Sequence, residues 1–172
     1  MTAEARGRLL RLMPAPITTD LVWQEVEKRL FAVLSWVNPS GHARSAGIVY
    51  LVKDRALYVA TNDDSWKAKH IRSNPHVALN VTIPKRIPFM PWVKIPDATI
   101  AFSATARVMA ATETEPEIIE VLMRGMAEDA ERLARTCVLE IRPSGHFATY
   151  GVGIPLLDMR DPKKARGRAP VG

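Results

Sequence analysis

The sequence predicts a mainly β protein: an antiparallel sheet of about six strands that curls into a β-barrel with flanking helices. Three observations carry the prediction. The first three strand-like runs are joined by reversals much shorter than the roughly dozen residues a parallel crossover needs, so they pair antiparallel. Helical patterns occur in only three places and do not alternate with the strands, which disfavours a parallel α/β sheet. A strongly twisted sheet of this width tends to close on itself.

Residues 1–18 hold two prolines and no sustained pattern, and are expected to be a loosely held lead-in. Residues 18–30 form a first helix, with Thr19 or Asp20 as cap and Leu21, Val22, Val26 and Leu30 at helical spacing. FAVLSWV (31–37) is an apolar strand, and Asn38-Pro39-Ser40-Gly41 is a strong turn signal. A second strand covers 43–53, Asp54-Arg55 reverses the chain, and 56–61 is a third. NDDSWKAKHIRSNP (62–75) starts a short helix at Asp64 or Ser65 and stops it at Asn74-Pro75. A fourth strand covers 76–83. PKRIPFMPWVKIPD (84–97), with four prolines in 14 residues, is an ordered excursion carrying Phe89, Met90 and Trp92.

Over 99–109 the pattern alternates, with Ile100, Phe102, Ala104, Ala106 and Val108 on one face, and a strand of this length is expected to bend. A second long helix opens at Thr112 or Thr114 and is striped by Ile118, Ile119, Leu122, Met126 and Leu133. CVLEIRP (137–143) is a strand that HFATYG (146–151) continues after a Ser144-Gly145 corner. The expected organisation is therefore a lead-in (1–18), one domain (19–153) and a basic tail (154–172) without a periodic pattern. Val33, Val49, Leu51, Val59, Val81, Ile100, Phe102 and Val138 are expected in the core.

With 172 residues, 47% apolar and 24% charged, the chain suits one globular domain. No apolar run approaches the roughly 18 residues of a membrane span, and the basic start lacks the apolar stretch of a secretory signal. A single cysteine, Cys137, rules out an intrachain disulfide framework and fits a reducing cytoplasm; in an apolar strand it is expected to be a buried small residue. The net charge of +6 gathers at the two ends, in Arg6, Arg8 and Arg11 and in Lys163, Lys164, Arg166 and Arg168. Without a nucleic-acid-binding signature it argues for small anionic ligands at least as well as for a polynucleotide, and no nucleic-acid partner is expected. His42, His70, His76 and His146 lack metal-ligand spacing, and the HExxH, Gly-x-Ser-x-Gly, P-loop and GxGxxG patterns are absent.

The most informative segment is Ser65-Trp66-Lys67-Ala68-Lys69. The first turn of a helix presents free N–H groups and partial positive charge, which suits a phosphate. Lysines there oppose the helix dipole by about 0.3–1 kcal/mol each, a cost that an anion opposite would offset. Spacing alone leaves them equally readable as surface lysines.

In sequence, residues 31–79 resemble the flavin-binding split barrels related to pyridoxamine 5′-phosphate oxidase. The match runs through FAVLSWVNPSG, ARSAGIVYLVKD, ALYVATN and KAKHIRSNPHVAL in order, the last with a Lys-x-x-x-Ile-x-x-Asn-Pro-x-Val spacing. Each fragment is weak alone; the ordered set is specific. The resemblance implies a six-stranded antiparallel Greek-key split barrel that forms a homodimer with two cofactor sites across its interface. It implies that Lys67 contacts the phosphate of flavin mononucleotide (FMN), with Ser65 beside it. Thr61 and Asn62 would end the strand beneath the phosphate and ribityl chain, and Arg44, Ser45, Gly47 and Val49 would run along the flavin. Arg44 reads equally as a solvated strand residue. Trp92, with Phe89 and Met90, would cover the flavin ring or the substrate, or pack at the dimer interface.

The implied function is an FMN-binding oxidoreductase of a small organic substrate, with no side chain marked as a general acid or base. The Arg-x-His substrate motif expected near the end of true pyridoxamine phosphate oxidases is absent, which disfavours that substrate. Two alternatives stay open. One is a reductase using the deazaflavin coenzyme, whose acidic tail would suit Lys67, Lys69, Arg72 and the basic tail. The other is a non-catalytic flavin- or haem-binding sensor on the same barrel.

Overall fold

A computed structural model describes residues 17–86, 92, 95–124, 129–156 and 158–172. In chain order the elements are α1 (Thr19–Glu27), β1 (Phe31–Val37), β2 (Ala43–Val49), β3 (Leu51–Lys53), β4 (Ala56–Asn62), α2 (Trp66–Ser73) and β5 (His76–Ile83). Then come β6 (Ala98–Ala110), α3 (Pro116–Met123), α4 (Ala130–Ala134), β7 (Thr136–Tyr150), α5 (Pro162–Ala165) and β8 (Arg166–Pro170).

The strands pair antiparallel in the order β2-β1-β5-β6-β7-β4-β3, with β8 added to β7. Only Tyr50 separates β2 from β3, so the two ends of this order are halves of one bent run of chain. The sheet therefore curls back on itself as a split barrel of six strands when β2 and β3 are taken as one, with β8 added outside that path. Tyr50 fixes the bend from both sides: its N–H donates to the Leu30 carbonyl (3.2 Å) and its hydroxyl to the Val26 carbonyl at the end of α1 (2.8 Å). The reversals follow the sequence. Asp54 and Arg55 both take left-handed backbone (φ 50° and 56°), and Gly41 lies in the five-residue β1–β2 loop (38–42) at φ 80°.

Period-2 alternation fills the barrel. Ala32, Leu34 and Trp36 point inward from β1, Val77, Leu79, Val81 and Ile83 from β5, and the even-numbered residues 98–106 from β6. Helix α1 closes one side with Val22, Trp23 and Val26, and Phe147 packs edge-on between Trp23 (5.6 Å) and Phe102 (5.3 Å). A smaller cluster forms outside, where Ile118, Ile119 and Met123 of α3 cover Ala56 and Tyr58 of β4 and Val138 of β7.

Val59, Val81, Ile100, Phe102 and Val138 are buried as expected, but Val33, Val49 and Leu51 are not. Val33 and Val49 fall on the outward parity of β1 and β2, and Leu51 packs only partly, against the outer cluster. Helix α1 is shorter than the expected 18–30; Thr18 is its cap, accepting from the Leu21 N–H, and it ends at Glu27. The single long second helix is also corrected. A 3₁₀ turn (Ala111–Glu113) precedes α3, and α3 stops at Arg124, whose left-handed backbone (φ 49°, ψ 53°) cannot continue a helix. Asp129 then caps the separate α4, and Met126 lies outside the described residues. Strand β7 runs unbroken through Gly145 (φ 74°) by bulging: two steps along β6, from Ala101 to Ser103, face four along β7, from Ala148 back to Ser144.

Residues 154–172 are not the patternless tail expected. They form a 3₁₀ turn (Asp158–Arg160), α5 and then β8, which pairs with His146–Tyr150 and sends Ala169 into the core. The Gly151 N–H donates to the Ala165 carbonyl (2.8 Å), and the Tyr150 hydroxyl to the Met159 carbonyl (2.9 Å). Among the described residues no helix is long and apolar enough to cross a membrane.

Candidate functional site

The chain passes from β4 into α2 through a cap centred on Ser65. The Ser65 N–H donates to the Asn62 carbonyl (3.1 Å), Ser65 Oγ accepts from the Ala68 N–H (3.2 Å), and the Ser65 carbonyl accepts from the Lys69 N–H (3.0 Å). Thr61 Oγ1 lies 3.5 Å from Ser65 Oγ. Ala68 and Ile71 anchor the inner side of α2, and Trp36 Nε1 donates to His70 Nδ1 (3.1 Å). This orientation decides where each cation of α2 goes. Lys69 Nζ sits over the exposed Trp66 ring at 5.4 Å, and Arg72 donates to the carboxylate and carbonyl of Asp63. Of the three, Lys67 alone lines a cavity, so α2 does not present the groove of Lys67, Lys69 and Arg72 that an acidic tail would have used.

That cavity, of about 590 Å³, lies between β2–β3, β4, the start of α2 and the end of α3. Leu30, Gly47, Val49 and Leu51 line it from the β2–β3 side, Val59 and Ala60 from β4, and Val121 and Leu122 from α3. Its charged lining residues are Lys67 and Arg124, with no carboxylate in the described lining. Burial pushes the Lys67 ammonium below the usual lysine range, and among the described residues no carboxylate pairs with it. Gly47 lets the Phe31 ring lie close over β2, where a Cβ would stand 2.7 Å from the ring edge and push this exposed side chain aside.

A second cavity of about 220 Å³ adjoins the first and shares Ala60, Leu122 and Arg124 with it. Thr61, Asn62, Thr136, Arg132 and Met123 complete its described lining, again without a carboxylate among them. Beyond Asn62 the surface changes character. A shallow recess of about 770 Å³ is lined by Asp63, Asp64, Asp129 and Glu131 with Arg132 and Arg135, a mixture that does not favour an anion. On the far side, Glu140 is held between Arg107 and Arg142 over the outer face of β6 and β7, so its charge is already matched.

The predicted site residues therefore separate into groups. Gly47, Val49 and Lys67 meet in the larger cavity, Thr61 and Asn62 line the smaller, and Ser65 caps the helix between them. Arg44 and Ser45 line neither. Arg44 pairs across from Trp36 on the inward parity of β2 and projects at its exposed end, while Ser45 faces outward. Trp92 is 74% exposed, and Phe89 and Met90 lie outside the described residues. Cys137 is fully buried and its thiol is pushed up by burial. Sequence reasoning missed Arg124. Its signal was an Arg-Gly pair ending the apolar run 118–123, the mark of a helix C-terminus.

In its fold the chain resembles several solved structures. An F420 reductase is 18% identical over 72% of this chain and 94% of its own (TM-score 0.52). General stress protein 26 from Bacillus anthracis is 20% identical over 77% and 91% (TM-score 0.51). The haem storage protein HutZ from Vibrio cholerae is 14% identical over 80% and 98% (TM-score 0.56). Among curated proteins none matches significantly. The family model for pyridoxamine 5′-phosphate oxidase matches residues 18–149, which span the barrel from the cap of α1 through nearly all of β7, and the chain belongs to that family.

Proposed function

We propose that the larger cavity binds FMN noncovalently and that the protein is an oxidoreductase acting on a small organic substrate. The observation that carries this reading is Lys67: a half-buried ammonium without a carboxylate partner among the described residues, opening onto a cavity with apolar walls. Such a cation is relieved by an anion, and the first turn of α2 adds backbone N–H groups beside it. In this reading Lys67 and Ser65 hold the phosphate, Thr61 and Asn62 lie under the ribityl chain, and Gly47 and Val49 face the ring system. The cavity falls within the roughly 300–1,000 Å³ usual for cofactor sites. A bound flavin supplies the electron transfer; the chain's residues hold it, orient it and keep water from its ring.

The test is a titration of the full chain with FMN and with riboflavin, followed by flavin fluorescence. FMN is expected to bind at least tenfold tighter, because only FMN carries the phosphate. Equal affinities, or no binding of either, would overturn the reading.

The deazaflavin coenzyme is the second reading, favoured by the further cation Arg124 and by the likeness to an F420 reductase. A haem-binding role is less well supported, because the described lining of the larger cavity holds no histidine, cysteine or methionine to ligate iron, and the Tyr50 hydroxyl is bonded to Val26.

The mouth of the cavity also bears on assembly. Leu30 and Val121 are 68% and 57% exposed, and Phe31 and Val49 beside them are also exposed, an apolar patch unusual for a monomer. We propose that a second copy of the chain covers it and completes the site. Sedimentation equilibrium is expected to give twice the 19.1 kDa chain mass, and a monomer at micromolar concentration would refute the dimer.

A further inference from the structure

We propose that the smaller cavity is a second anion-binding subsite, organised by Arg124, which takes a phosphate or carboxylate group next to the ligand of the larger cavity. Three features carry it. First, the described lining of this cavity is polar and cationic, with Thr61, Asn62, Thr136 and Arg124, and includes no carboxylate. Second, its volume of about 220 Å³ admits a tetrahedral or planar oxyanion with a few waters. Third, Arg124 lines both cavities, so a guanidinium placed there can hold an anion at the junction while the apolar walls receive the body of a ligand.

Three neighbouring acids are already engaged. Asp63 is bound by Arg72, Glu131 by Arg135 (2.6 Å), and Asp129 caps α4 through the Arg132 N–H (3.0 Å). The hydroxyl of Thr136 donates its proton to the Arg132 carbonyl (2.8 Å), so the donors left to an oxyanion are those of Arg124 and the Asn62 amide. A planar guanidinium with several donors suits bidentate recognition of an oxyanion. The oxyanion can come from the cofactor itself, as its phosphate or acidic tail, or from a separate substrate. The proposal rests on the cofactor reading only for what occupies the larger cavity.

Arg124 also offers a clean variant. Its backbone is left-handed (φ 49°, ψ 53°), a conformation glycine adopts without steric cost, so Arg124→Gly removes the guanidinium without straining the end of α3. The probe is inorganic phosphate, followed by backbone amide chemical shifts of the full chain at fixed ionic strength, with and without saturating FMN. Saturable shifts at Asn62, Leu122, Arg124 and Thr136 are expected, retained in Lys67→Ala and weakened at least tenfold in Arg124→Gly. If FMN abolishes the response, the oxyanion is the cofactor's own phosphate; if the response persists, it belongs to a second ligand.

An unchanged response in Arg124→Gly, or shifts mapping elsewhere, would overturn the subsite. The two proposals fail separately. Phosphate shifts at these amides without flavin binding leave the subsite and remove the FMN reading, whereas FMN binding without those shifts does the reverse.

Discussion

Phe147→Ala is expected to destabilise the fold by about 3–5 kcal/mol, the scale for removing a fully buried aromatic side chain. Phe147 is wholly inaccessible and makes edge-on contacts to Trp23 of α1 and Phe102 of β6. It also pairs in register with Ala169 of β8, so one ring joins α1, two barrel strands and the C-terminal strand. The residues around it are held by β pairing and cannot collapse freely into the space, which places the cost toward the upper part of that range. Denaturant unfolding is the measurement, read as a lower midpoint at an unchanged slope. Phe147→Leu, which keeps most of the volume, should cost much less. Phe147 lines none of the described cavities, so the folded fraction of Phe147→Ala should bind ligand as the parent does. Its cost should also add to that of any cleft variant.

The barrel was legible because β1, β5 and β6 alternate and the turns carry their own chemistry. Asn38-Pro39-Ser40-Gly41 and Asp54-Arg55 act locally, and the even-numbered residues of β6 read as a buried face without knowledge of the partner strand. Where the reading failed, the deciding forces were not local. Val33 and Val49 are as apolar as their neighbours, and only the parity fixed by Leu34 and Ile48 sends them outward. RGRAP has no apolar alternation, so β8 is specified by hydrogen bonding to β7 and by the single inward Ala169. The long helix was read from a stripe that continues past Arg124, where the backbone turns left-handed.

The candidate site divides in the same way. Lys67 was visible because the first turn of a helix and its cap are local features. Gly47 and Val49 came only with the family resemblance, and their side of the strand follows from parity. Parity also separates Arg44 from Ser45, since adjacent strand residues face opposite ways. Arg124 was invisible as a site residue, because the cavities it lines exist only once α3 packs across β4.

Charge at position 67 is expected to dominate ligand affinity. Lys67→Ala should weaken FMN binding by roughly 1–3 kcal/mol, or about 5- to 150-fold, the scale of a lost charge-assisted hydrogen bond. Lys67→Glu should cost about twice as much, because repulsion of the phosphate replaces attraction in a poorly solvated place. Riboflavin, lacking the phosphate, should lose little affinity in either variant. A loss as large as that of FMN would mean that position 67 shapes the cavity and does not hold an anion. The pH dependence gives an independent check. Burial lowers the pKa of Lys67, so the free protein gives up this proton at a lower pH than an exposed lysine would. FMN affinity should therefore be full below that lowered pKa and fall as pH rises through it, with proton uptake on binding in that window. The apo fold should respond in the opposite direction. The unfolded chain holds the proton more tightly, so the cost of burying the ammonium is present at lower pH and relieved as pH rises toward the ordinary lysine range. Lys67→Arg remains charged throughout, so it should bind FMN with a flat profile over the same window. A parental profile as flat as that of Lys67→Arg would show that the charge of Lys67 does not contribute to binding.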